Sequence, residues 1–91
     1  MRVLAVDFGM ARVGLALSDP AGRLAFPLAT LTRATRDQLF ADLLAMIGRE
    51  GVERIVVGLP LNLDGTDSES TRRARNFAAS LARRTPVPVV L

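Results

Sequence analysis

The chain has 91 residues with no cysteine and no histidine, so disulfides, thiolate metal sites, thiol nucleophiles and imidazole bases are all excluded. Its 12 basic residues, all arginine, outnumber 9 acidic ones, and the net charge of +3 suits phosphate binding without establishing it. With 49% hydrophobic residues the length fits one modest packed domain over 1–91, and no apolar run reaches membrane-spanning length.

The first run, Val3 to Val6, is apolar throughout, as in a central strand covered on both faces, and it delivers Asp7 at its C-terminal end. Gly9 and the polar break at Arg12 turn the chain. The second run then sets Val13, Leu15 and Leu17 on one face and Gly14, Ala16 and Ser18 on the other. The pair reads as a hairpin with one carboxylate at its mouth. Asp19-Pro20-Ala21-Gly22 has turn composition, and a third strand over Leu24 to Leu31 alternates Leu24, Phe26 and Leu28. Pro27 removes a backbone donor there, which places this strand at a sheet edge.

Thr35-Arg36-Asp37-Gln38 has the form of a capping box, and Leu39, Phe40, Leu43, Leu44 and Ile47 behind it keep helical spacing until Gly51 ends the helix. Arg54 to Leu59 is a short β-branched run, again expected to be buried on both faces, which Pro60 closes. After the loop from Leu61 to Gly65, Thr66-Asp67-Ser68-Glu69 offers a second capping box. The helix it opens runs to about Arg84, with Ala74, Phe77, Ala78 and Leu81 inward and Arg72, Arg75 and Arg83 outward. Val87 to Leu91 starts a fifth strand, put at an edge by Pro88. The order β-β-β-α-β-α-β, with proline strands outermost, predicts a mixed α/β sheet of order 3-2-1-4-5.

Few residues on this frame can carry chemistry. A carboxylate at the end of a central strand either binds a cation or caps the Gly9 turn, and Asp7 admits both readings. Asp19 and Asp64 read as turn-forming residues beside Pro and Gly. Asn62 is either an ordinary loop residue or a contact to substrate. Arg12, Arg72, Arg73, Arg75, Arg83 and Arg84 form the candidate phosphate-binding surface, the plainer reading of the helical ones being a solvated face. Without aromatic interleaving, stacking on single-stranded bases is not expected.

The string Val6-Asp7-x-Gly9-x-x-Arg12-Val13-Gly14-x-Ala16-x-Ser18-Asp19-Pro20, followed by Gly58-Leu59-Pro60-x-Asn62-x-Asp64-Gly65-Thr66, resembles the YqgF (RuvX) family of RNase H-like nucleases. The resemblance runs from Met1 to Leu91. It implies an RNase H-like fold in which Gly9, Gly14, Gly58, Pro60 and Gly65 are motif backbone and Asp7 is catalytic, as a ligand of Mg2+ or Mn2+. The implied activity is metal-dependent hydrolysis of structured nucleic acid, either branched DNA at Holliday junctions or an rRNA precursor in 5′ maturation of 16S rRNA. Substrate contacts are then expected from Arg12, Asn62, Arg72 and Arg75. The family pattern places further acids after the fifth strand and on a last helix. None is present in these residues, so the chain is expected to be truncated and by itself inactive. A non-catalytic module that at most binds nucleic acid is the rival reading, and half of an actin-like ATPase, whose phosphate hairpin also reads Asp-x-Gly, is another. The absence of a basic and apolar leader after Met1 leads to an expected cytoplasmic location, and the exposed edge of the fifth strand to an expected homodimer contact.

Overall fold

The computed structural model describes residues 1–32 and 35–91. Along the chain lie β1 (Val3–Phe8), β2 (Arg12–Ser18), β3 (Ala25–Thr32), α1 (Arg36–Arg49), β4 (Arg54–Val57), α2 (Glu69–Ala82) and β5 (Val89–Val90). The strands form one sheet of order β3-β2-β1-β4-β5, antiparallel between β1, β2 and β3 and parallel between β1, β4 and β5. Pro27 lies within one edge strand and Pro88 immediately precedes the other, as the missing amide donors require.

Among the described residues the sheet is covered on one face only, which corrects the expectation that β1 and β4 are buried on both. Leu4, Val6, Val13, Leu15, Ile55 and Val57 point into a single core with Leu39, Phe40, Leu43, Phe77 and Leu81 from the two helices. The alternate residues Ala5 and Asp7 are exposed, and Val56 is half-buried. Small apolar residues on the bare side make these strands look uniformly hydrophobic, although period-2 alternation separates the faces.

A register shift between Leu15 and Ala16 changes the reading of β3. Leu15 pairs with Ala29 and Ala16 with Pro27, so Leu28 is an extra residue on the edge strand. Leu28 accordingly lines the bare face, and beyond the bulge it is Ala29 and Leu31 that pack against the core, while Phe26, opposite Leu17, stays exposed at the sheet edge and Leu24 is exposed before the strand begins.

Both helix starts use local polar chemistry, though differently from the sequence pattern. The Thr35 hydroxyl accepts from the Gln38 amide at 3.1 Å, but the Gln38 side chain donates forward to Asp42 instead of back to the cap. The second capping box is formed by Ser68 and Thr71, two residues later than Thr66. Thr66 is not available because its hydroxyl is committed to Asp64 and Asn62, while Thr71 also donates to the Pro60 carbonyl. Gly51 takes the left-handed conformation at φ 63° just past α1, as expected of a helix-ending glycine.

Candidate active site

Asp7 sits one residue before the end of β1, and three local features fix where its carboxylate goes. Phe8 turns to the helix side, where its ring stacks on Phe77 at 4.3 Å between centroids, and Phe77 in turn stacks on Phe40 at 5.7 Å. Alternation then sends Asp7 to the bare face. The hairpin turn is closed by backbone, with the Gly9 amide donating to the Arg12 carbonyl at 3.0 Å. A Cβ on Gly9 would lie 2.6 Å from that same oxygen, so only glycine fits this turn.

Glycine flanks Asp7 on both sides, Gly14 on β2 and Gly58 just past the end of β4. Gly14 is its partner on β2, and a Cβ there would already touch the Asp7 Cβ at 3.7 Å. On the other side the Gly58 amide donates to the Val6 carbonyl at 2.9 Å, continuing the ladder one step past β4. The carboxylate therefore stands on a floor without side chains beside it. Around it a shallow groove of about 790 Å³ is lined by Ala5, Asp7, Gly14, Ala16, Pro27, Val56 and Gly58 among others. Arg12, also exposed, shares this face by alternation with Val13, which is buried on the other.

The remaining residues singled out in the sequence do not gather around Asp7. Arg72 pairs with Glu69 at 3.2 Å and Arg75 with Asp67 at 3.3 Å, both in the first turns of α2, which packs on the opposite face of the sheet. Arg73 pairs with Glu69 and reaches the Met10 sulfur, while Arg84 lies over the Phe40 ring at 4.2 Å. Asp19 accepts from the Arg23 amide at 2.8 Å in its own turn. Asn62 is a brace within its loop, donating through Nδ2 to the Thr66 hydroxyl at 3.0 Å. Pattern reading did not find the Phe8, Phe77, Phe40 stack. Its only trace in sequence is an aromatic placed next to Asp7, where alternation demands an inward side chain.

Asp64 accepts from both the hydroxyl and the amide of Thr66, at 2.6 and 3.0 Å. These bonds, the hydroxyl first, hold its carboxyl below the ordinary value of 3.8. Because the folded value is the depressed one, the loop's order is complete above the ordinary carboxylate range and is lost as pH falls through the folded value. In an NMR titration the Thr66 amide should move with a midpoint below 3.8. A midpoint at or above that value would mean the hydrogen bonds do not persist in solution.

As a test of metal fit, an exposed carboxylate between two glycines offers oxygen ligation and room for a hydrated cation. Among the described residues no three His, Cys, Asp or Glu side chains come together, so Asp7 provides one ligand and not a complete site.

A sheet of order β3-β2-β1-β4-β5 with a carboxylate at the end of its central strand defines a ribonuclease H-like domain. A solved structure titled "Thermus thermophilus RuvC structure" aligns with a TM-score of 0.67 at 19% identity, covering 100% of this chain and 63% of that one, which supports the fold. The model of the RuvX Holliday junction resolvase family matches residues 1–91, and the chain belongs to the RuvX family. Curated relatives share its sequence over the whole of its length. A protein of Maridesulfovibrio salexigens named "Putative pre-16S rRNA nuclease" is 55% identical over 91 residues, which are 100% of this chain and 67% of the relative. One of the same name from Nitratidesulfovibrio vulgaris is 50% identical over 100% of this chain and 64% of its own length. The chain thus spans about two thirds of the length of these relatives.

Proposed function

We propose that this chain is the part of a nuclease that presents the first catalytic carboxylate to structured nucleic acid, either an rRNA precursor during 5′ maturation of 16S rRNA or branched DNA. One observation carries the reading: in a member of the RuvX family, Asp7 is displayed between two glycines on the bare side of the sheet. Asp7 would hold Mg2+ or Mn2+ together with ligands other than the described residues. Such an ion, when bound, activates water and stabilises the departing oxygen of a phosphodiester. Arg12, on the same face, would orient a substrate phosphate through its planar fork, and Arg72 and Arg75 would meet phosphates further along.

A second reading is a module that binds nucleic acid and hydrolyses nothing. It is favoured by the single carboxylate among the described residues at the groove. The family assignment argues against the third, half of an actin-like ATPase. The reading also carries a cytoplasmic location and a homodimer contact along the free edge of β5.

Binding titrations of the full-length gene product with a labelled stem-loop RNA and a four-way DNA junction test the nucleic-acid reading. Log affinity should fall linearly with log salt, with a slope of roughly −0.7 to −0.9 per phosphate neutralised. Arg12→Ala should flatten that slope by about one phosphate contact. Arg83→Ala, at the far end of α2, should leave it unchanged. Binding that ignores salt, or equal effects of the two substitutions, would count against phosphate contact by Arg12.

A further inference from the structure

The C-terminal end of α2 and the first turn of α1 meet at a cluster of arginines that share one buried serine. Ser80, 3% exposed, accepts at Oγ from Arg36 Nη2 at 2.6 Å and from Arg83 Nη2 at 3.1 Å, and its carbonyl accepts from Arg84 Nη1 at 2.8 Å. Ring contacts hold two of these groups a second time. The guanidinium carbon of Arg84 lies 4.2 Å from the centroid of the buried Phe40 ring, and that of Arg36 lies 5.4 Å from it. Arg36 is the first residue of α1 and Arg83 caps α2, so two separate helices deliver charge to one spot.

Helix capping accounts for only part of this arrangement. The last carbonyls of α2 carry a partial negative charge of about half a unit, and a single basic side chain near them is enough to complement it. Three full charges exceed that need. Among the described residues none of the three forms an ion pair, whereas Arg72, Arg73 and Arg75 on the same helix are each paired with a carboxylate. Like charges brought to one neutral hydroxyl repel, and an anion seated among them would relieve the repulsion. Each guanidinium has five donors and gives one of them to Ser80, so donors remain for a ligand. Side chains already fixed by a ring and a hydroxyl lose less freedom when they bind than arginines free in solvent.

The ligand's chemistry follows from the charge and the forks. Two adjacent phosphate groups offer several oxygens and a charge that matches three guanidiniums, which a lone carboxylate does not. Beside the cluster, Arg36 and Phe40 also line a cavity of about 410 Å³ together with Leu39, Asn76 and Phe77 among others. We propose that Arg36, Arg83 and Arg84 form a diphosphate-binding site on the helix layer, on the opposite side of the sheet from the Asp7 groove. The diphosphate is either free or that of a nucleotide whose base enters the cavity. By bridging the start of α1 to the end of α2, the bound anion clamps the two helices together. The site stands apart from the nucleic-acid reading above.

Calorimetric titration of the full-length protein with inorganic pyrophosphate and with ADP, in low salt without metal, tests the site. Wild type should bind at least one of them and melt at a higher temperature in its presence. Arg83→Gln should weaken binding about tenfold or more, the scale of losing one charge-assisted hydrogen bond. Arg36→Lys should also weaken it although the charge is kept, because a point charge does not replace the planar fork. Arg23→Gln, which removes the same charge from the turn between β2 and β3, should change it by less than about twofold. ADP binding about tenfold tighter than pyrophosphate assigns the site to a nucleotide, and similar affinities assign it to free diphosphate. Failure of both to bind, or equal losses in Arg83→Gln and Arg23→Gln, overturns the site. Melts of the unliganded variants separate loss of contact from loss of fold, and Arg36→Lys carries the test should Arg83→Gln melt early.

Discussion

In the full-length gene product, Asp7→Asn should lower Mg2+- or Mn2+-dependent cleavage by about 10²–10³-fold, the scale of removing one preorganised electrostatic group from a reacting centre. The substitution is nearly isosteric, and the site is exposed between Gly14 and Gly58, so the fold has no reason to respond. What changes is the charge available to a cation. If arginines supply the nucleic-acid affinity, as proposed above, that affinity should be almost unaffected or slightly improved as one negative charge leaves the groove. Single-turnover cleavage and fluorescence anisotropy measured side by side separate these effects. Cleavage that survives Asp7→Asn would remove Asp7 from the chemistry. On the metal-dependent reading proposed above, the 91-residue chain by itself should cleave little in either form, because the described residues bring together no group of carboxylates that could hold metal ions.

The strand order could be read from the sequence because the two strand prolines have few permitted positions. Pro27 and Pro88 exclude the sheet interior, and once both edges are assigned only one arrangement joins the hairpin to the helical crossovers. The position of Asp7 near the end of β1 was equally legible, since a charge that follows four apolar residues contrasts with its surroundings. The bare face was not. Ala5, Ala16 and Val56 are hydrophobic by composition yet line an open groove, and whether a layer covers them is a matter of tertiary arrangement. The start of α2 was missed for a different reason. Thr66-Asp67-Ser68-Glu69 and Ser68-Glu69-Ser70-Thr71 both offer a capping hydroxyl, and the choice between them depends on which one a longer-range contact leaves available. The loop motif was visible as a string, but that Asn62 and Asp64 both bond to Thr66 and brace the loop could be read only from its hydrogen bonds.

The one-sided sheet leads to a stability difference between two adjacent residues of β4. Ile55 is 0% exposed, pairs with Leu4 on one side and Val89 on the other, and points into the core beneath the helices. Ile55→Ala should cost about 2–5 kcal/mol, since lost burial is joined by a cavity that the central strand cannot close. Against a total of about 5–15 kcal/mol, this is a large share for a domain of this size. At roughly 4–8 °C per kcal/mol, the melting temperature should fall by at least about 8 °C. Val56→Ala, one residue on and facing the groove, should cost less than about 1 kcal/mol because its side chain is already partly in water. Thermal melts followed by far-ultraviolet circular dichroism on the 91-residue chain compare the two directly. Equal costs would mean that the groove face is covered in solution by association of chains. The same pair measured in the full-length protein extends the argument. If the Val56→Ala cost there rises toward that of Ile55→Ala, additional chain lies across the bare face, and the Asp7 groove is then a closed cleft with walls on both sides.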